Sequence, residues 1–206
     1  MNIYPLFSSV VSASIIKEDF TETFSLLKQE HFSTTDSFNN LNSFASIDNK
    51  VLKKHATLED RILKEFYKFK NEYLRYEDTD FVITTSWVTK TMPKGYSQLH
   101  NHKNSYYSGV LYFEECIDGN ILFETNANNQ SIKLNDPNEW NIYNFETFNI
   151  APQKNLVIFF PSYLKHMVLP FNGDVPRYSL AFNLFPVGDI GVGDSSINLS
   201  VYKWIT

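Results

Sequence analysis

The chain has 206 residues, enough for one domain with a filled core and too few for two ordinary domains. A formal net charge of −5 argues against a basic nucleic-acid-binding surface, and no run of about 18 apolar residues offers a membrane span. A single cysteine, Cys116, excludes an intrachain disulfide and suits a reducing compartment. The first residues lack the basic start and long apolar run of a signal peptide, so the cytoplasm is the expected location. Aromatic residues reach 16 %, with 18 Phe and 12 Tyr. Such side chains suit a half-buried pleated surface better than a helical bundle.

In chain order, residues 17–30 place Phe20, Phe24 and Leu27 at helical spacing, which predicts a first helix. Residues 33–50 are rich in Ser, Asn, Thr and Asp and read as a loop. A second helix is predicted from Thr57 to about Leu74, with Glu59 and Asp60 in its first turn. Its stripe is Leu58, Ile62, Phe66 and Phe69, widened by Leu63. The cluster Lys64, Lys68 and Lys70 reads as part of this amphipathic helix rather than as a nucleic-acid site. From residue 80 onward, short runs of Val, Ile, Tyr and Phe alternate with turn residues. Strands are predicted at 81–91, 98–100, 106–114, 120–124, 147–150, 156–160, 166–169, 178–185 and 198–203. The chain therefore reads as a single domain, 1–206. A helical support occupies 1–78 and a mainly β sandwich or barrel occupies 79–206. Loops 33–55, 125–146 and 186–197 are the expected lids or substrate walls, by length and polarity.

Of the five histidines, His31 and His55 fall in the helical and loop-like third and read as surface residues. The pair His100-Asn101-His102 carries more information. On an extended strand, residues i and i+2 share a face, so two imidazoles can converge on one ion. His166 follows the apolar run 156–161, and a barrel can bring it to the same point. The plainer alternative is a set of polar, partly exposed histidines. Further along lies Arg177-Tyr178-Ser179, where Arg and Ser again share a face. A guanidinium and a hydroxyl suit the far carboxylate of a dicarboxylate. Arg177 could otherwise form a surface salt bridge, but its strand is apolar and an inward Arg without a partner is costly.

Several segments together resemble a family of 2-oxoglutarate/Fe(II)-dependent oxygenases found in bacteria and marine phages. They are Ser86-Trp87-Val88, Gly95 to His102, Asn104 to Tyr112, Phe160-Pro161-Ser162-Tyr163-Leu164-Lys165-His166, and Arg177 to Asn183. A looser match falls at Tyr4-Pro5-Leu6-Phe7. The resemblance implies a double-stranded β-helix (jelly-roll, cupin-like) barrel and a metal centre of His100, His102 and His166. It also implies Fe(II) with 2-oxoglutarate as cosubstrate. By position, Arg177 and Ser179 would bind the far carboxylate of 2-oxoglutarate, with Tyr112 adding a hydroxyl. Asn183 and Ser108 would stand behind them as structural polar groups. Oxygenases of this broader group usually place a carboxylate where this chain has His102. An all-histidine site also suits Zn, Ni or Cu, and Glu124 is a conceivable additional ligand.

Two other readings stay open on the sequence. One is a cupin-type dioxygenase or isomerase that does not use 2-oxoglutarate. The other is a non-catalytic binding barrel. The expected partner is a small molecule or a protein side chain as substrate, with a homodimer as a further expectation and no nucleic acid or membrane.

Overall fold

The computed structural model describes residues 1–4, 8–33, 40–125 and 135–200. The predicted second helix forms as α2, Ala56–Phe69, and buries Leu58, Ile62, Phe66 and Phe69, which are the stripe positions. Each such side chain contributes about 2 kcal/mol when taken fully out of water. The helix then loosens into a π-helical turn, Lys70–Leu74. Lys70 departs from the expectation for the lysine cluster. It is fully buried, and its ammonium donates to the carbonyls of Tyr76, Glu77 and Thr79. Three carbonyls and the face of Tyr67 replace its water and close the helix end onto the following strand. Helix α1, Thr21–Leu27, is shorter than the pattern predicted and buries Phe24 and Leu27.

The first third is not purely helical. Strand β1, Ser12–Ile15, and strand β2, Asn40–Ala45, lie in stretches read as non-strand. The sequence signal is weak at both because each takes its hydrogen bonds from a longer neighbour, β1 from β7 (Leu156–Pro161) and β2 from β3 (Asp80–His100). The two runs predicted at 81–91 and 98–100 are this single strand β3. The remaining strands are β4 (Tyr107–Tyr112), β5 (Ile121–Glu124), β6 (Thr147–Ile150), β8 (Lys165–Val168), β9 (Arg177–Ile190) and β10 (Ile197–Leu199). Part of the predicted 186–197 loop is thus strand. Residues 201–203 of the last predicted strand, 34–39 and 126–134 of two predicted loops, and Pro5 to Phe7 lie outside the described residues.

The main path of the sheet runs β1-β7-β4-β9-β3-β8-β5-β6, antiparallel throughout, with β2 on β3 and β10 on β9. Strand β3 belongs to both halves. Its first part pairs with β9, and its last residues pair with β8. The sheet therefore curls over itself into the double-stranded β-helix barrel. Alternation along β4 and β7 sorts two cores. Tyr107, Leu111, Val157 and Phe159 pack outward against Phe66 and the helices, whereas Val110, Tyr112, Ile158 and Phe160 face inward towards Ile121 and Phe123. Burial on both faces accounts for the unbroken apolar run at 156–160. Gly109 sits on the outward face beneath the ring of Phe182. A Cβ there would lie 2.4 Å from that ring and 2.7 Å from the Ile158 carbonyl oxygen. No helix among the described residues is long and apolar enough to cross a membrane.

Candidate metal centre

The bend that hands β3 from one half of the sheet to the other ends at His100, which sits opposite His166 of β8 in the strand register. Their ring centroids are 4.3 Å apart. His102 lies just past the end of β3, so the pleat alone does not aim it. Its amide donates to the Ser162 carbonyl at 3.0 Å, which turns the chain back towards β7. The His102 ring then lies 5.3 Å from that of His100 and 5.0 Å from that of His166. One ligand atom from each of the three comes within 4.8 Å of the others. Among the described residues, no aspartate or glutamate joins this group. Glu124 does not reach it for a geometric reason. Phe123 pairs with His166, and Glu124, the next residue on β5, points to the opposite face beside Lys165.

Hydrogen bonds orient all three rings in the same sense. His100 Nδ1 lies 2.7 Å from the Gln98 carbonyl oxygen, and His166 Nδ1 lies 3.0 Å from that of Leu164. A carbonyl oxygen can only accept, so each Nδ1 carries a proton, and in the neutral ring that leaves the lone pair on Nε2. His102 Nδ1 meets Asn183 Oδ1 at 2.7 Å and Ser108 Oγ at 2.9 Å. His166 is 4 % exposed and is walled by Phe160 and Phe123. Burial, assisted by the neighbouring His100, pushes its pKa down to about 3. Burial also lowers the pKa of His102, against the hydrogen bond its ring donates to Asn183. Both rings are thus neutral at pH 7, the form that ligates a metal. Three imidazole nitrogen donors fit a borderline divalent ion such as Fe(II), Ni(II) or Zn(II).

The predicted anion-binding residues share the inner face of the barrel. Arg177 opens β9 and is 3 % exposed. Its guanidinium lies 5.8 Å from the Tyr112 ring centroid and 5.7 Å from that of Phe171, and Nη1 donates to the Gly119 carbonyl. Nε is buried and has no partner. A buried cation with an orphan donor and no acidic partner among the described residues fits an incoming carboxylate. Ser179, two residues on, is buried on the same face, opposite Tyr112 in the β4–β9 register. Burial raises the Tyr112 phenol to about 12, so it stays a neutral donor. Gly119 leaves room for the guanidinium, since a Cβ there would come within 2.6 Å of Nη1. Sequence reasoning singled out neither Phe171 nor Gly119 and treated Asn183 as a structural group. The even spacing of Arg177, Ser179 and Asn183 on one strand face was the available signal. The ring of Trp87 lies 5.8 Å from the His102 ring.

Residues 85–183 match the model of the family described as "Putative 2OG-Fe(II) oxygenase". No curated protein sequence matches the chain. Among solved structures, an oxidoreductase of the 2OG-Fe(II) oxygenase family from Burkholderia pseudomallei superposes with a TM-score of 0.60 at 10 % identity, covering 85 % of this chain and 83 % of that one. HygX from Streptomyces hygroscopicus, with nickel, 2-oxoglutarate and hygromycin B bound, gives 0.59 at 11 % identity, covering 85 % and 82 %. A prolyl-4-hydroxylase from Pseudomonas putida gives 0.56 at 16 % identity, covering 86 % and 94 %. These likenesses establish the fold. The matched segment contains all three clustered histidines together with Arg177 and Ser179.

Proposed function

We propose that this protein is a 2-oxoglutarate/Fe(II)-dependent oxygenase that hydroxylates a small molecule or a protein side chain, with His100, His102 and His166 holding Fe(II) and with Arg177, Ser179 and Tyr112 holding the far carboxylate of 2-oxoglutarate. The observation that carries the reading is the pairing, inside one barrel, of three clustered imidazoles with a buried guanidinium that has no acidic partner among the described residues. Bound there, iron and 2-oxoglutarate supply oxidative decarboxylation of the cosubstrate to succinate and carbon dioxide, coupled to insertion of oxygen into a substrate C–H bond. The chain's own residues prepare that chemistry. The Nδ1 hydrogen bonds of the three rings fix which nitrogen faces the metal before it arrives. Arg177 offers Nε and its remaining N–H groups to a carboxylate, and the Tyr112 and Ser179 hydroxyls can complete that cradle. Phe123, Phe160 and Trp87 line the imidazole cluster with apolar surface that limits water. A metal-dependent barrel that does not use 2-oxoglutarate has no need of such a guanidinium.

The test is anaerobic titration of the protein with Fe(II) and then 2-oxoglutarate, followed by the visible charge-transfer band of the complex. His166→Ala should abolish the band, and Arg177→Ala should move it to higher 2-oxoglutarate concentration. Titrations unchanged in both variants would remove these assignments. Succinate formation with added Fe(II) separates turnover from a binding-only barrel.

A further inference from the structure

We infer that Asn183 is a positioning residue for the metal centre, holding His102 in the one tautomer and ring orientation that can ligate. The inference rests on the metal role proposed above for the histidines. His100 and His166 are oriented by backbone carbonyls two residues before them, which any sequence would supply. His102 has no such carbonyl. It depends on side chains brought from two other strands, Ser108 of β4 and Asn183 of β9, which pair directly in the register. Asn183 Oδ1 accepts from both the His102 ring and the Ser108 hydroxyl, the latter at 2.8 Å. Its amide Nδ2 donates to Thr85 Oγ1 at 3.0 Å on β3, and this contact turns the oxygen towards the imidazole. The buried hydroxyls continue from Ser108 to Ser162 at 2.8 Å and from Ser162 to Ser105 at 2.9 Å. Serine hydroxyls can donate or accept and would tolerate either His102 tautomer. The amide oxygen accepts only, and so it sets the choice.

The chemistry also explains why an amide suits this position. With three imidazoles and an uncharged layer behind His102, the centre would hold a divalent ion with no carboxylate of the described residues in the group. Asn183→Asp would place a negative charge one hydrogen bond behind the metal and make His102 a stronger donor. Asn183→Ala would leave His102 Nδ1 to Ser108 alone.

Two measurements on the full chain test this. Nitrogen-15 NMR of the metal-free protein should show His102 protonated on Nδ1 in the wild type and in Asn183→Asp, and a mixture of tautomers in Asn183→Ala. Competition of Ni(II) or Fe(II) against a chelator should show about 10- to 100-fold weaker binding for Asn183→Ala. Asn183→Asp should bind at least as tightly as the wild type. If Asn183→Ala fails to fold, the aspartate variant and Ser108→Ala, which should keep the Nδ1–H tautomer, carry the same test. His102 protonated on Nε2 in the wild type overturns the inference, as does an alanine variant with unchanged tautomer and affinity. A wild-type chain that binds no divalent ion overturns the metal reading itself and the inference with it. Normal metal binding without dependence on residue 183 overturns the inference alone.

Discussion

Replacing Arg177 by methionine should have opposite effects on the empty and the ligand-bound protein. In the empty protein, the guanidinium is almost wholly out of water and is held by one carbonyl and two ring faces, with Nε unpaired. Each ring contact contributes about 1–2 kcal/mol when desolvated, against a desolvation cost of several kcal/mol for the charge. A methionine of similar reach removes both terms, so stability should stay level or rise by about 1–3 kcal/mol. In the complex, a charge-assisted hydrogen bond contributes about 1.5–3 kcal/mol, and removing one partner of a buried ion pair costs about 3–5 kcal/mol. At the low end, 3 kcal/mol corresponds to about 150-fold weaker 2-oxoglutarate binding. Urea denaturation of the metal-free protein gives the first quantity, and calorimetric titration of anaerobic, metal-loaded protein gives the second. A variant that loses several kcal/mol when empty yet binds 2-oxoglutarate within threefold of the wild type would refute the reasoning. Arg177 would then be a structural clamp on the Gly119 turn.

Gly109→Ala should cost about 2–3 kcal/mol, because the new methyl meets the Phe182 ring and the Ile158 carbonyl in the doubly covered sheet. For a domain of this size the melting temperature should fall by about 4–12 °C, and an unchanged melt would mean that the sheet gives locally. The metal-free protein should also lose stability as pH falls. His166 has a folded pKa near 3 against 6.5 for an ordinary histidine, so below pH 6.5 the unfolded chain takes up a proton that the folded chain refuses. The contribution is full above 6.5 and declines towards 3 by about 1.4 kcal/mol per pH unit. His102 adds in the same direction. Urea midpoints between pH 7 and pH 5 should show this slope and His166→Gln should flatten it; a wild type without the slope would contradict the burial argument.

Helix α2 was legible because its apolar stripe is long and periodic, and the central strands because they are rich in β-branched and aromatic residues. Strands β1 and β2 were not legible, since sequences such as Ser-Ala-Ser-Ile carry little preference of their own and become strands only by lying along β7 and β3. The long β3 read as two pieces because Met92 to Gly95 look like a turn, whereas the chain passes through them as strand with Lys94 at a positive φ of 66°. At the candidate site, the three histidines that cluster were recognisable one by one, but the reason for their meeting was partly misjudged. Same-face alternation does not place His102; a backbone hydrogen bond to Ser162 and the side chains of Ser108 and Asn183 do. Such contacts join residues 6 to 81 positions apart, and no local pattern announces them.

The path of β3 through both halves of the barrel bears on when the proposed metal centre can form. The nitrogen cluster takes shape only after β3 has paired with β8, and His102 is braced only once β9 has arrived with residue 183. A chain emerging from the ribosome therefore keeps these histidines scattered until residue 183 is out. Were these histidines to hold the ion as proposed, its loading would follow folding rather than guide it, and the ion would act as a late lock on a barrel already closed.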